Sequence, residues 1–207
     1  VCDRLLDAAE QLFAQKGFNG TSIRHITTKA STNIAAVNYH FGGKEKLYIE
    51  VFQRRMGEMR NIRTARIEKV MAQTDPEPTL EKLLREFATA FIEPLIDNTG
   101  GSLFMKLMIH EMSDPHLPRR MFIDELAAPT LSALGKGIAR VCPGLEQDKI
   151  VFSIISIIGQ LVHIIHLNKL FDLGDFVESP TPALAEMVDH IVEFSAAGIR
   201  AAAKRTD

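Results

Sequence analysis

Apolar residues recur at helical spacing along nearly the whole chain. In "LLDAAEQLFAQKGF" the side chains of Leu5, Leu6, Ala9, Leu12 and Phe13 share one face, as in an amphipathic helix. Gly17 follows where a helix C-cap belongs. "NGTSIRHITTKA" restarts a helix, with Thr21 or Ser22 as N-cap and Ile23 and Ile26 facing inward. After Ala30-Ser31-Thr32 a short helix runs from Asn33 to about Phe41, where Gly42-Gly43 ends it. A long helix starts near Lys44 and runs towards Pro76 and Pro78, which stop it. Further helices are predicted at about 78–98, 102–113, 117–141, 146–172 and 181–204. Their separators are Gly100-Gly101, Asp114-Pro115, Pro143-Gly144 and "GDFVESPTP". Pro94 and Pro129 fall inside two of these patterns and predict kinks or shorter helices there. Sustained period-two alternation is missing, so the predicted fold class is all-α.

The run "IVFSIISIIGQLVHIIHL" changes the picture little. It is slightly short of the ~20 apolar residues of a membrane span. Ser153, Ser156, Gln160, His163 and His166 interrupt it every third or fourth residue. A buried helix with one small, polar stripe is predicted, and no membrane association. The chain has 207 residues, 46% of them hydrophobic, enough for a sizeable core. Two cysteines, Cys2 and Cys142, make no disulfide framework or Cys-based metal motif, and no signal-peptide pattern is visible, so a cytoplasmic location is expected. The net charge of −2 hides an asymmetry: residues 1–70 hold 12 Lys+Arg against 7 Asp+Glu, and residues 71–207 hold 12 against 19. A basic head on an acidic body suits a nucleic-acid binder with a separate regulatory part; charge segregation without function is the plainer alternative.

Residues 22–29 and 33–40, two short helices and a tight turn, make a helix-turn-helix, whose second helix enters the DNA major groove. Asn33 can cap that helix or meet a phosphate. Ala35 and Ala36 allow close approach, and their methyls can touch thymine methyls. Val37 faces inward, Ile34 towards DNA. Asn38, Tyr39 and His40 can donate to phosphate oxygens. Lys44, at the start of the next helix, forms a phosphate site with the free backbone N–H groups. The plainer alternative makes Tyr39 and Phe41 core aromatics and Lys44 and Lys46 a solvated face.

The stretches "LFAQKGF", "TSIRHITTKA", "AAVNYHF" and "GGKEKLY" together resemble the N-terminal domain of TetR-family transcriptional regulators over residues 4–52. Two departures stand out: Ser31-Thr32 in place of Gly and an apolar residue in the turn, and Asn38 where Tyr is frequent. The resemblance implies that Thr21, Ser22, Asn38, Tyr39, His40 and Lys44 touch the DNA backbone, and that Asn33, Ile34, Ala35 and Ala36 sit nearest the bases. It also implies a three-helix head at 1–47 and a larger helical ligand-binding and dimerisation domain at 48–207. The homodimer would form through the helices at about 146–172 and 181–204, in keeping with Leu184, Val188, Ile191 and Ser195 at i, i+4, i+7 and i+11. Expected partners are a palindromic double-stranded operator and a small-molecule effector.

"LFMKLMIHEM" is rich in Met and Phe, which suits either an adaptable pocket or plain core. Phe104, Leu107, Met108 and Glu111 are the pocket candidates, with Gln160 and His163 as orienting polar groups. His110, Glu111, His163 and His166 could instead hold a metal, although such histidines are more often hydrogen-bonded in a core or interface. No metal or other cofactor is expected. The usual catalytic motifs are missing, so an enzyme is not expected. The combined expectation is a ligand-responsive DNA-binding regulator, a repressor released by a small, mostly apolar molecule.

Overall fold

A computed structural model of the chain describes residues 1–96, 101–170 and 184–204. Among these residues the fold is all helical: α1 (Cys2–Lys16), α2 (Ile23–Lys29), α3 (Ile34–Phe41), α4 (Lys44–Met71), α5 (Leu80–Ile96), α6 (Gly101–Ser113), α7 (Ala128–Val141), α8 (Gln147–Leu170) and α9 (Leu184–Ala203). The "GDFVESPTP" loop and the predicted helix start at 181 lie outside the described residues. Contacts divide the chain into two units: Val1–Glu58 with Leu95–Leu126, and Met59–Pro94 with Ala127–Asp207.

The first unit is built on α1, whose Leu5, Ala9, Leu12 and Phe13 are buried as the periodicity requires. Ile26 of α2, Val37 of α3 and Leu47, Tyr48, Val51 and Phe52 of α4 join the core. Tyr48 centres an aromatic cluster, with ring centroids 4.8 Å from Phe13, 5.1 Å from Phe18 and 5.0 Å from Phe52. Edge-to-face arrangements of this kind add to area burial. Helix α6 packs along α1, and Phe104 lies 6.1 Å from Phe52. One carboxylate ties the end of α6 and the segment after it to Tyr48. Glu111 accepts from the Tyr48 hydroxyl at 3.0 Å and from the backbone N–H groups of His116 and Leu117 at 2.9 and 2.8 Å. Burial and the adjacent Glu111 charge push the Tyr48 phenol well above its ordinary pKa. Three donors satisfy a partly buried anion that would otherwise carry a large desolvation cost.

An ionic clamp joins α1 to α4. Glu10 is 1% exposed, although it sits on a helix with an apolar face. It accepts from Arg54 Nη2 at 2.8 Å and Arg55 Nη2 at 2.7 Å, with a further bond from Arg55 Nε. The bound carboxylate holds the Arg55 guanidinium above its usual pKa.

In the second unit, α8 buries Ile150, Ile154, Ile157, Leu161 and Ile165, and α9 buries Val188, Ile191, Val192, Ala196 and Ile199. The expectation of a buried α8 needs correction. Its other side exposes Val151, Phe152 and Ile155, with Phe152 61% exposed. Hydrophobicity says that a side chain avoids water but not what covers it. By length and composition the stretch Gln147–Ile165 could cross a membrane, yet α8 uses one face to pack on α7 and α9. Gly137 of α7 permits close packing, because a Cβ there would lie 2.9 Å from Leu83 Cδ2. The prolines behave differently from each other. Helix α5 continues through Pro94. Before Pro129 the chain forms a π turn, Ile123–Ala127, so the helix predicted at 117–141 is in fact interrupted. A proline ring clashes with the carbonyl four residues earlier, and a wider turn relieves that clash.

Replacing Glu10 with Ala should lower the free energy of unfolding by about 2–3 kcal/mol, since two half-buried guanidinium groups lose their shared buried acceptor and keep only the exposed Asp7 and Glu58. Urea denaturation of the full chain checks this value.

Candidate nucleic-acid interface

The helix-turn-helix is assembled from local capping interactions. Ser22 is extended (φ −105°, ψ 152°), and its Oγ accepts from the His25 N–H at 3.2 Å, so Ser22 is the N-cap of α2. Thr21 has another role. It is buried, and its hydroxyl donates to the Gly17 carbonyl at 2.8 Å and lies 3.1 Å from the Leu12 carbonyl. This side chain closes the end of α1, which removes its hydroxyl from the surface expected to meet phosphate.

The turn between α2 and α3 contains Ser31 at φ +51°. This is the left-handed region, where a Cβ is unfavourable and Gly is the usual occupant. Asn33 then caps α3: its Oδ1 accepts from the Ala36 N–H at 2.9 Å. Val37 is fully buried and holds α3 on the head. Gly42 ends α3 in the left-handed conformation (φ 72°, ψ 13°), its N–H donating to the Asn38 carbonyl. Ile34, Ala35, Asn38, Tyr39 and His40 are exposed, Tyr39 at 86%, and Ala36 is half-buried.

Lys44 is the first residue of α4. Its ammonium lies 4.1 Å from the Phe18 ring centroid, and burial lowers its pKa. Arg24, Lys29 and Lys46 are also exposed on α2 and the first turn of α4. The net charge of residues 1–70 signals them, although the helix-turn-helix pattern does not.

The effector candidates separate. Phe104 and Leu107 are buried in the first unit, where they belong to its core, and Met108 is half-buried. Glu111 is engaged by Tyr48, His116 and Leu117. Gln160 and His163 belong to the second unit. Gln160 donates to the Ser156 carbonyl at 3.2 Å and lines a cleft of about 260 Å³ between α8 and α9, whereas His163 is exposed. Among the described residues no three His, Cys, Asp or Glu side chains converge as metal ligands; the His166 side chain lies outside the described set.

Replacing Thr21 with Val should destabilise the chain by about 1–2 kcal/mol through loss of a buried hydrogen bond. DNA affinity should fall no further than the folded fraction does. Thermal unfolding and DNA titration on the same sample check both.

Residues 5–51 match the model of bacterial regulatory proteins of the TetR family, and residues 85–198 match a tetracycline repressor-like C-terminal domain. The HTH-type transcriptional repressor NicS of Pseudomonas putida is 37% identical over 82 residues, 40% of this chain and 37% of that protein. The HTH-type transcriptional dual regulator CecR of Shigella flexneri is 29% identical over 140 residues, 66% of this chain and 62% of that protein. The matched stretches therefore span less than two thirds of either relative's length. The TetR-family transcriptional regulator PfmR of Thermus thermophilus has a similar fold, with a TM-score of 0.61 at 18% identity, over 94% of this chain and 98% of that one. With a capped, exposed third helix in a helix-turn-helix, a head matched over 5–51 and a C-terminal match covering more than half of the chain, this protein belongs to the TetR family of bacterial regulatory proteins.

Proposed function

We propose that this chain is a DNA-binding transcriptional repressor, released from a palindromic operator by a small, mostly apolar effector. The observation that carries this reading is α3, which presents Ile34, Ala35, Asn38, Tyr39 and His40 to solvent while Val37 anchors it from behind. A short helix with an apolar anchor and small residues on its open side fits a major groove. In this reading Ile34, Ala35 and Ala36 meet base edges, Ser22, Asn38, Tyr39, His40 and Lys44 meet the backbone, and Arg24 and Lys46 add phosphate contacts. Asn33 acts through its cap. Residues 1–47 carry DNA binding, and 48–207 carry effector binding and dimerisation.

A second copy of the chain would cover Val151, Phe152 and Ile155 of α8 and Phe194 of α9, all exposed in one chain. A dimer would set two recognition helices about 34–36 Å apart, one turn of DNA. Helix α4 supplies Leu47, Val51 and Phe52 to the head's unit and Ile67 and Val70 to the other, so it is the element through which an effector would bias the head. The shift needs only different affinities for two conformers.

Fluorescence anisotropy with DNA from upstream of the chain's own gene, at two salt concentrations, tests the reading. Tight, salt-sensitive binding that survives excess random DNA is expected; no preference over random DNA would refute it for that operator. Tyr39→Ala should weaken binding to all sequences by a similar factor, about tenfold, because a phosphate contact carries no code. Ala36→Leu should block groove entry while light scattering still shows a dimer, so operator affinity should drop at unchanged mass.

A further inference from the structure

The inward face of α4 in the second unit reads Met59, Arg63, Ile67, Val70, and all four are buried. Arg63 is 5% exposed, the one charged side chain in that stripe. Three other arginines of α4 have carboxylates: Arg54 and Arg55 share Glu10, and Arg66 takes both Glu86 and Glu93 of α5. Arg63 pairs with no carboxylate among the described residues, and its buried Nε has no hydrogen-bond partner. Its guanidinium carbon lies 4.1 Å from the centroid of the Phe91 ring. Burial alone pushes its pKa down to about 10.

An uncompensated buried cation is costly. Stacking on one aromatic face returns only part of that cost. A Met or Leu at this position would serve packing better. We propose that Arg63 is the anion-recognising group of the effector site, and that the effector is a small monocarboxylate with an apolar body. The inference rests on the effector-responsive reading above and names the ligand class.

The geometry selects the carboxylate. Phe91 already occupies a face of the guanidinium, so the in-plane edge bearing Nε is where an anion can pair. A carboxylate takes such an edge with two parallel hydrogen bonds. It also brings one negative charge to one positive charge, whereas a phosphate dianion would leave charge uncompensated among apolar groups. One turn along α4, beyond Arg63, Ile67 lines a cleft of about 440 Å³ whose apolar wall is Met71, Pro129 and Ala133 and which also carries Glu68, Lys136 and Arg140; an apolar body would lie against that wall. The excess of acidic residues over 71–207 disfavours a strongly anionic ligand, but a single buried guanidinium outweighs that distant, screened charge.

The test uses matched probes on the full chain: benzoate and octanoate against benzamide and octanamide, read by thermal shift and, separately, by operator release. The carboxylates should stabilise the wild type and the neutral amides should not. Arg63→Met should bind the carboxylates at least about tenfold more weakly and, without probe, be no less stable than the wild type. Arg63→Lys keeps the charge and should retain part of the response. Equal stabilisation by acids and amides, or an unchanged acid response in Arg63→Met, would overturn the proposal, as would a loss of stability in Arg63→Met that Arg63→Lys restores without any acid response. Acid stabilisation with unchanged operator affinity would uphold the anion site and overturn the effector-release reading instead.

Discussion

An eight-residue helix is not stable by itself in water, because nucleation costs more than two turns of hydrogen bonds return. Helix α3 has that length, and much of the first unit answers this constraint. Asn33 supplies an acceptor at its start and Gly42 a left-handed residue at its end. Val37 fixes the inner face, which leaves the outer face free. The scaffold around it is held by different forces in different places. Packed aromatics around Tyr48 fill the centre. Glu10 binds α1 to α4, and Glu111 ties Tyr48 to the chain beyond α6. Both carboxylates are hydrogen-bonded well enough to make an otherwise costly burial tolerable.

The second unit shows two departures from that rule of satisfaction. Arg63 is a buried cation without a carboxylate among the described residues. The α8–α9 pair exposes a set of large apolar side chains, with Phe152 and Phe194 both more than half exposed. Thr32, Arg54, Gln73 and Ser195 each also bury one polar atom without a partner, so these two departures stand out by a buried charge and by the area of exposed apolar surface; in our reading each is where something else binds. The two departures differ in kind: one asks for an anion, the other for an apolar surface such as a second copy.

Most of the helices were legible in the sequence, because apolar spacing and breaker residues act over a few positions. The helix-turn-helix was legible for the same reason. Ser22, Asn33 and Gly42 do their work within four residues of themselves. Local pattern says least where an outcome depends on residues far apart in the chain. Thr21 was expected at the DNA surface, but carbonyls four and nine residues earlier claim its hydroxyl. Phe104, Leu107 and Glu111 were candidates for a pocket, but residues about fifty to sixty positions away make Phe104 core and Glu111 a tether. The arginines of α4 look alike in sequence, and only packing gives Arg54, Arg55 and Arg66 their carboxylates and leaves Arg63 without one among the described residues.

The sequence by itself determined the helical class, the place of the recognition helix and its caps, and the basic bias of the head, since each follows from near neighbours or composition. The tertiary structure alone decided, among the described residues, which polar groups are satisfied, which apolar faces remain uncovered and which buried arginine has no carboxylate. Burial and partnership are properties of space, and one chain position carries no record of what the fold will bring against it.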